Sequence, residues 1–169
     1  MGKTLVIYYS AQGHTRRAAE IITKTLNAHL FEIPLYSPYT KEDLDWTNPN
    51  SRCNKEWSLE IERDESPKNA EVSNWTDYDT VIIGYPIWYG YAAFPVASFM
   101  ADRNFEGKTV YLFCTSHSSE VGDSDLKLKH TIKPPLDKVN WHDAVRFFQD
   151  APEGKIVDWA KSLEQNHGR

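Results

Sequence analysis

Leu5-Val6-Ile7-Tyr8-Tyr9-Ser10-Ala11-Gln12-Gly13-His14-Thr15 is a near-continuous apolar run that ends in a small hydroxyl residue, turns through a glycine and meets a helical pattern at Thr15. A buried strand that delivers the chain into a helix in this way leaves backbone N–H groups unpaired at the positive end of the helix dipole. Ser10 and Thr15 add hydroxyl donors, and Gly13 lets the backbone come close to whatever is bound. The chemistry that fits such a turn is a phosphate held mainly by neutral donors.

Further along, Thr80 to Tyr85 and Thr109 to Cys114 are similar apolar runs, as expected of parallel strands covered on both faces. A weaker run lies around Ala144 to Phe148. Leu30-Phe31-Glu32-Ile33-Pro34-Leu35 alternates apolar and polar residues, the pattern of a strand nearer an edge. Helical spacing separates these runs. Thr15 to Ala28 gathers Ala18, Ala19, Ile22 and Leu26 on one face, Pro95 to Arg103 carries Val96, Phe99 and Met100, and Gly154 to Gln165 groups Ile156, Val157, Ala160 and Leu163. Five strands alternating with helices predict an α/β fold, an open doubly wound parallel sheet in one domain over residues 1–169. Residues 36–74 are rich in Asn, Ser, Pro and charge. One helix within Asn50 to Asp64 is expected there, because a structureless crossover of that length is uncommon.

With 24 Asp and Glu against 19 Lys and Arg, the chain has a net charge of −5, which argues against nucleic acid as its partner. Arg16-Arg17 and Lys127 to Lys133 are too thin for a basic binding stripe and read as solvated helix faces. No apolar stretch approaches the roughly 18 residues that span a bilayer, and the N-terminus enters a strand without a signal-peptide pattern. No membrane insertion and a cytoplasmic location are therefore expected. Cys53 and Cys114 lack metal-ligand or disulfide-framework spacing, Cys114 reads as a buried thiol, and the Asn74-Trp75-Thr76 sequon as coincidence. No G-x-x-x-x-G-K-[ST] or G-x-G-x-x-G motif is present, nor a histidine pair for a metal, a plausible Ser–His–Asp set or clustered aspartates after the first strand.

In a doubly wound sheet, ligands sit beyond the carboxyl ends of the strands where strand order reverses. Three loops meet there. Ser10 to Thr15 suits a phosphate, Tyr85-Pro86-Ile87-Trp88-Tyr89-Gly90-Tyr91 is strongly aromatic, and Thr115-Ser116-His117-Ser118-Ser119-Glu120-Val121-Gly122-Asp123 is rich in hydroxyls. Together they suit a planar aromatic ring with a phosphorylated tail.

With these loops in their order, the chain resembles the flavodoxin family of FMN-binding proteins. Ser10 to Thr15 is similar to the family's phosphate loop, Gly84 to Gly90 to the loop beside its flavin, and Gly107-Lys108-Thr109 through Thr115 to the next strand and loop. The resemblance implies a three-layer α/β/α flavodoxin-like sandwich, its five-stranded parallel sheet in the order 2-1-3-4-5, with FMN as cofactor. Carried over by residue, it implies that Ser10, Gln12, Gly13, His14 and Thr15 surround the FMN phosphate. Gln12 stands where many members have Thr, and His14 where Asn is frequent. Trp88 and Tyr89 are expected against the isoalloxazine, with Pro86, Ile87 and Gly90 shaping the loop and offering backbone groups. Thr115, Ser116, Ser118 and Gly122 are expected to border the pyrimidine end, with His117 nearby. Glu120, Asp123 and Asp125 are expected to disfavour negative charge on the ring.

Two functions follow from the resemblance: an electron carrier between redox partner proteins with no acid–base catalytic residue, or an FMN-dependent NAD(P)H oxidoreductase reducing quinone-like acceptors. A third reading, outside flavin chemistry, keeps the fold for phospholigand sensing or protein association.

Overall fold

The structure, a computed structural model, describes residues 2–59, 70–101, 103–133 and 136–166. Strand β1 (Lys3–Tyr8) is buried from Thr4 onward and hands over through Gly13 to helix α1 (His14–Leu26). The helix starts one residue before Thr15. It stops short of Ala28 because Asn27 turns left-handed (φ 48°), and the N–H groups of Asn27 and Ala28 close the carbonyls of Lys24 and Thr23. Strand β2 (His29–Glu32) is short and mostly exposed, as an edge strand should be, and helix α2 (Arg52–Leu59) falls inside the expected window. Residues 60–64 of that window lie outside the described residues.

Strand β3 (Tyr78–Trp88) is longer than the apolar run Thr80 to Tyr85. Its tip folds back through Tyr89 and Gly90 into a two-residue strand, β4 (Tyr91–Ala92), pairing Trp88 with Tyr91 and Ile87 with Ala92. The stretch after Tyr85 is thus a hairpin rather than a loop. Tyr89 and Gly90 both have positive φ, 53° and 76°, as a type I′ turn requires. Helix α3 (Phe94–Ala101) follows with Pro95 in its first turn, where no intrahelical donor is lost. Strand β5 (Thr109–Ser116), helix α4 (Ser124–Lys129), strand β6 (Asn140–Phe148) and helix α5 (Glu153–Asn166) complete the order.

The parallel strands lie in the order β2-β1-β3-β5-β6, with β4 antiparallel on the tip of β3. Leaving out that hairpin strand gives the expected 2-1-3-4-5. Side chains alternate between the sheet's faces. Leu5, Ile7, Val81, Ile83, Val110 and Leu112 pack with Val96, Phe99 and Met100 of α3 and Leu128 of α4. Val6, Ile82, Tyr111 and Phe113 pack on the other side with Ala18, Ala19 and Ile22 of α1 and Ile156, Ala160 and Leu163 of α5. The result is a three-layer sandwich with all loops of the carboxyl edge on one rim. No described helix is long and apolar enough to cross a membrane.

This burial reaches ionisable groups. It pushes the phenols of Tyr9 and Tyr85 well above the ordinary tyrosine range and the Cys114 thiol up to about 12. In the unfolded chain a thiol ionises near about 8.5 and a phenol near about 10. Above those values the unfolded state has released protons that the fold retains, so stability falls as pH rises, beginning near about 9 and steepening past about 10. Urea midpoints should therefore drop steadily from about pH 8 to about pH 11, and a flat profile would contradict the burial of these groups.

Candidate functional site

The carboxyl ends of β1, β3 and β5 open into one cavity of about 460 Å³. Its first wall is the β1–α1 turn. Ser10 Oγ accepts the Gly13 N–H at 3.0 Å, and Gly13 takes φ 92°, a conformation costly for any residue with a Cβ. No side chain caps α1. Its opening N–H groups are therefore left for a ligand, and the helix dipole favours an anion there. Ser10, Gln12, His14 and Thr15 line the cavity. Thr15 is 1 % exposed, and its hydroxyl lies 2.7 Å from that of Thr115 at the end of β5, tying the first wall to the third.

The second wall is the β3–β4 hairpin, from which Pro86, Ile87, Trp88 and Tyr89 line the cavity. Trp88 is half-buried and packs edge-on against Tyr9, Tyr39 and Phe94, with centroids 5.7, 5.1 and 5.6 Å away. These rings fix the indole plane. Tyr89 stacks on Trp57 of α2 at 5.0 Å and 11°, its hydroxyl donates to Asn54, and it lies 3.4 Å from Cys53 Sγ. Its left-handed φ is held by these partners, since the sequence offers neither Gly nor Asn at that position. Gly90 serves the turn and does not line the cavity.

Thr115, Ser116, His117, Ser118 and Ser119 form the third wall. Ser116 Oγ donates to the Ser119 carbonyl, folding the loop on itself. Gly122 (φ 53°) turns the chain toward α4 and stands off the wall. The acidic residues behave differently from the expectation of carboxylates around the ring. Asp125 is buried, and its carboxylate accepts the N–H groups of Leu126 and Ala144, which ties α4 to β6. Glu120 pairs with Arg146 at 3.1 Å.

Sequence reasoning placed Ala11 and Ser119 in the ligand loops without a role of their own, and missed Gln149 and also Leu44, Trp46 and Cys53, which the segment before β3 brings to the cavity. Asn54 organises that segment: its amide donates to the carbonyls of Trp46 and Asn48 while its oxygen takes the Tyr89 hydroxyl. A tryptophan inside a polar, Asn-rich stretch was the available signal. Among the described residues, no Asp, Glu, Lys or Arg lines the cavity, and no cluster of three His, Cys, Asp or Glu residues could hold a metal ion. Arg16 is engaged by Glu32, and Arg17 donates to the Ala151 carbonyl.

A family profile described as Flavodoxin matches residues 3–163. The chain belongs to the flavodoxin family. Its likeness to solved structures agrees. A Bacteroides eggerthii protein assigned as a flavoprotein is 34% identical over 97% of this chain and 99% of its own, with a TM-score of 0.81. A Bacteroides uniformis counterpart is 32% identical over 95% and 98%, with a TM-score of 0.82. A Lactobacillus acidophilus flavoprotein crystallised with FMN is 21% identical over 95% and 99%, and its TM-score of 0.64 shows the shared fold. A search of curated proteins returned no match. FMN is the cofactor of the flavodoxin family, and this site fits it: an uncapped helix start beside paired hydroxyls for the phosphate, and a fixed aromatic wall for the ring.

Proposed function

We propose that this flavodoxin-family protein is an electron carrier that holds FMN in the cavity and passes electrons between redox partner proteins. When bound, FMN supplies the one- and two-electron chemistry. Ser10, Gln12, Gly13, His14 and Thr15 hold its phosphate, Trp88 and Tyr89 with Pro86, Ile87 and Gly90 shape the ring's surroundings, and Thr115, Ser116, Ser118 and Gly122 form the loop at its pyrimidine end. The observation that carries the reading is that, among the described residues, no lysine or arginine lines the cavity. One phosphate can be met by the α1 N-terminus, but the diphosphate of a pyridine nucleotide would find no lysine or arginine to pair with among the described residues of the wall. The protein works as a single domain, and its two free cysteines suit the reducing cytosol.

One observation favours the alternative, an NAD(P)H:quinone-type oxidoreductase. Leu44 and the largely exposed Trp46 extend the apolar wall beyond the three loops, a surface of the kind a small planar acceptor would lie against. Anaerobic reduction followed by visible absorption should show FMN taking electrons singly, with negligible NAD(P)H oxidation in the absence of a reductase. Steady NAD(P)H-dependent quinone turnover by the protein alone would sink the carrier reading. A colourless protein that gains no flavin spectrum with added FMN would sink both.

A further inference from the structure

Arg146 on β6 stands opposite Cys114 of β5 in the parallel register, beside the point where β5 gives way to the third loop. Its Nη1 donates to the Ser119 carbonyl at 2.8 Å and more weakly to that of Ser118 at 3.4 Å. The same nitrogen lies 3.1 Å from Glu120 Oε1, and the guanidinium carbon sits 4.1 Å over the Phe148 ring. The Arg146 side chain is 14 % exposed, whereas that of Glu120 is 80 % exposed. The cation is thus largely withdrawn from water while its counter-ion is screened, which leaves a net positive field behind the loop.

Ser118 and Ser119 both line the cavity, so one thickness of backbone separates the guanidinium from the ligand space. In a trans peptide the carbonyl and the N–H point in opposite directions. Carbonyls 118 and 119 turned toward Arg146 therefore aim the N–H groups of Ser119 and Glu120 away from it. Resting on the FMN-binding reading above, we propose that Arg146 is a positioning residue for the cofactor: it orients the Ser116 to Glu120 loop so that these N–H groups face the flavin, and its charge favours the reduced flavin over the oxidised one.

The two parts separate with Arg146→Lys and Arg146→Gln. Lysine keeps the charge but not the flat guanidinium that lies over Phe148 while its Nη1 donates to the Ser119 carbonyl, and glutamine loses the charge. Three measurements suffice: amide exchange at Ser118 to Glu120 in the FMN-free protein, fluorescence titration with FMN, and potentiometry giving the ratio of affinities for reduced and oxidised FMN. Arg146→Gln should speed loop exchange about tenfold, weaken FMN about tenfold and lower the reduced-to-oxidised ratio about fivefold. Arg146→Lys should show the first two losses and keep the ratio, and Glu120→Gln should raise it. The assignment is overturned if Arg146→Gln matches the native protein in loop exchange and FMN affinity, or if both Arg146 variants shift the ratio equally. A native protein that binds no FMN would overturn the functional reading itself, a result distinct from native binding that Arg146→Gln leaves untouched.

Discussion

Thr15→Ala should weaken FMN about 10- to 100-fold while leaving riboflavin, which lacks the phosphate, within about threefold of its native affinity. The range is that of one hydrogen bond to a charged group in a site shielded from water. Thr15 is almost fully buried at the start of α1, and its hydroxyl is already oriented by Thr115 at 2.7 Å. A hydroxyl held by a neighbour is pre-organised for an anion, so little ordering remains to offset its bond. Removing it also strands the Thr115 hydroxyl, and a modest loss of stability should accompany the loss of affinity. Thr15→Ser keeps the hydroxyl and should restore most FMN affinity. Parallel fluorescence titrations of the FMN-free protein with FMN and riboflavin measure the difference. Equal losses for the two ligands would show that Thr15 does not hold the phosphate.

The largest loss of stability is expected from Gly84→Ala, about 3 kcal/mol or more by chemical denaturation. A Cβ on Gly84 would lie 2.1 Å from Phe113 Cζ. Neither partner has room to give way. Gly84 is in β3, pinned between β1 and β5. The Phe113 ring is fully buried against Phe147 and Trp159, with centroids 6.1 and 6.2 Å away. The glycine is thus the socket in which the neighbouring strand's ring lies, and its absent side chain is a packing requirement rather than a conformational one. Combining Gly84→Ala with Phe113→Leu should recover part of the loss. If the two losses simply add, the clash is not the cause.

What could be read from the residues depended on how each part of the fold is stabilised. Buried parallel strands show as continuous apolar runs because both faces need apolar residues, so β1, the core of β3 and β5 were legible, as was the turn into α1. The hairpin at the tip of β3 was not. Pro86 and Gly90 resemble loop punctuation, and nothing local marks Tyr89 for positive φ, because its partners Asn54, Cys53 and Trp57 come from more than thirty positions away. The segment before β3 hid for a related reason. It is shaped by single side-chain-to-backbone bonds, such as Thr40 with Asp43 and Asn54 with Trp46, which leave no periodic trace. Charge can be counted in a sequence but its direction cannot. Asp125 turned inward to brace β6, while Arg146, unremarkable in its run, reached the rim.

That no lysine or arginine among the described residues lines the cavity also bears on how the cofactor is retained. Ligands gripped by ion pairs loosen as ionic strength rises, because mobile ions screen each charge within about 8 Å under physiological conditions. If the N–H and O–H groups of the β1–α1 turn hold the phosphate as proposed, they act at contact distance, where screening by mobile ions is weak. On that proposal FMN affinity should change little as salt rises, and screening of the protein's own net charge of −5 even eases the approach of the dianion.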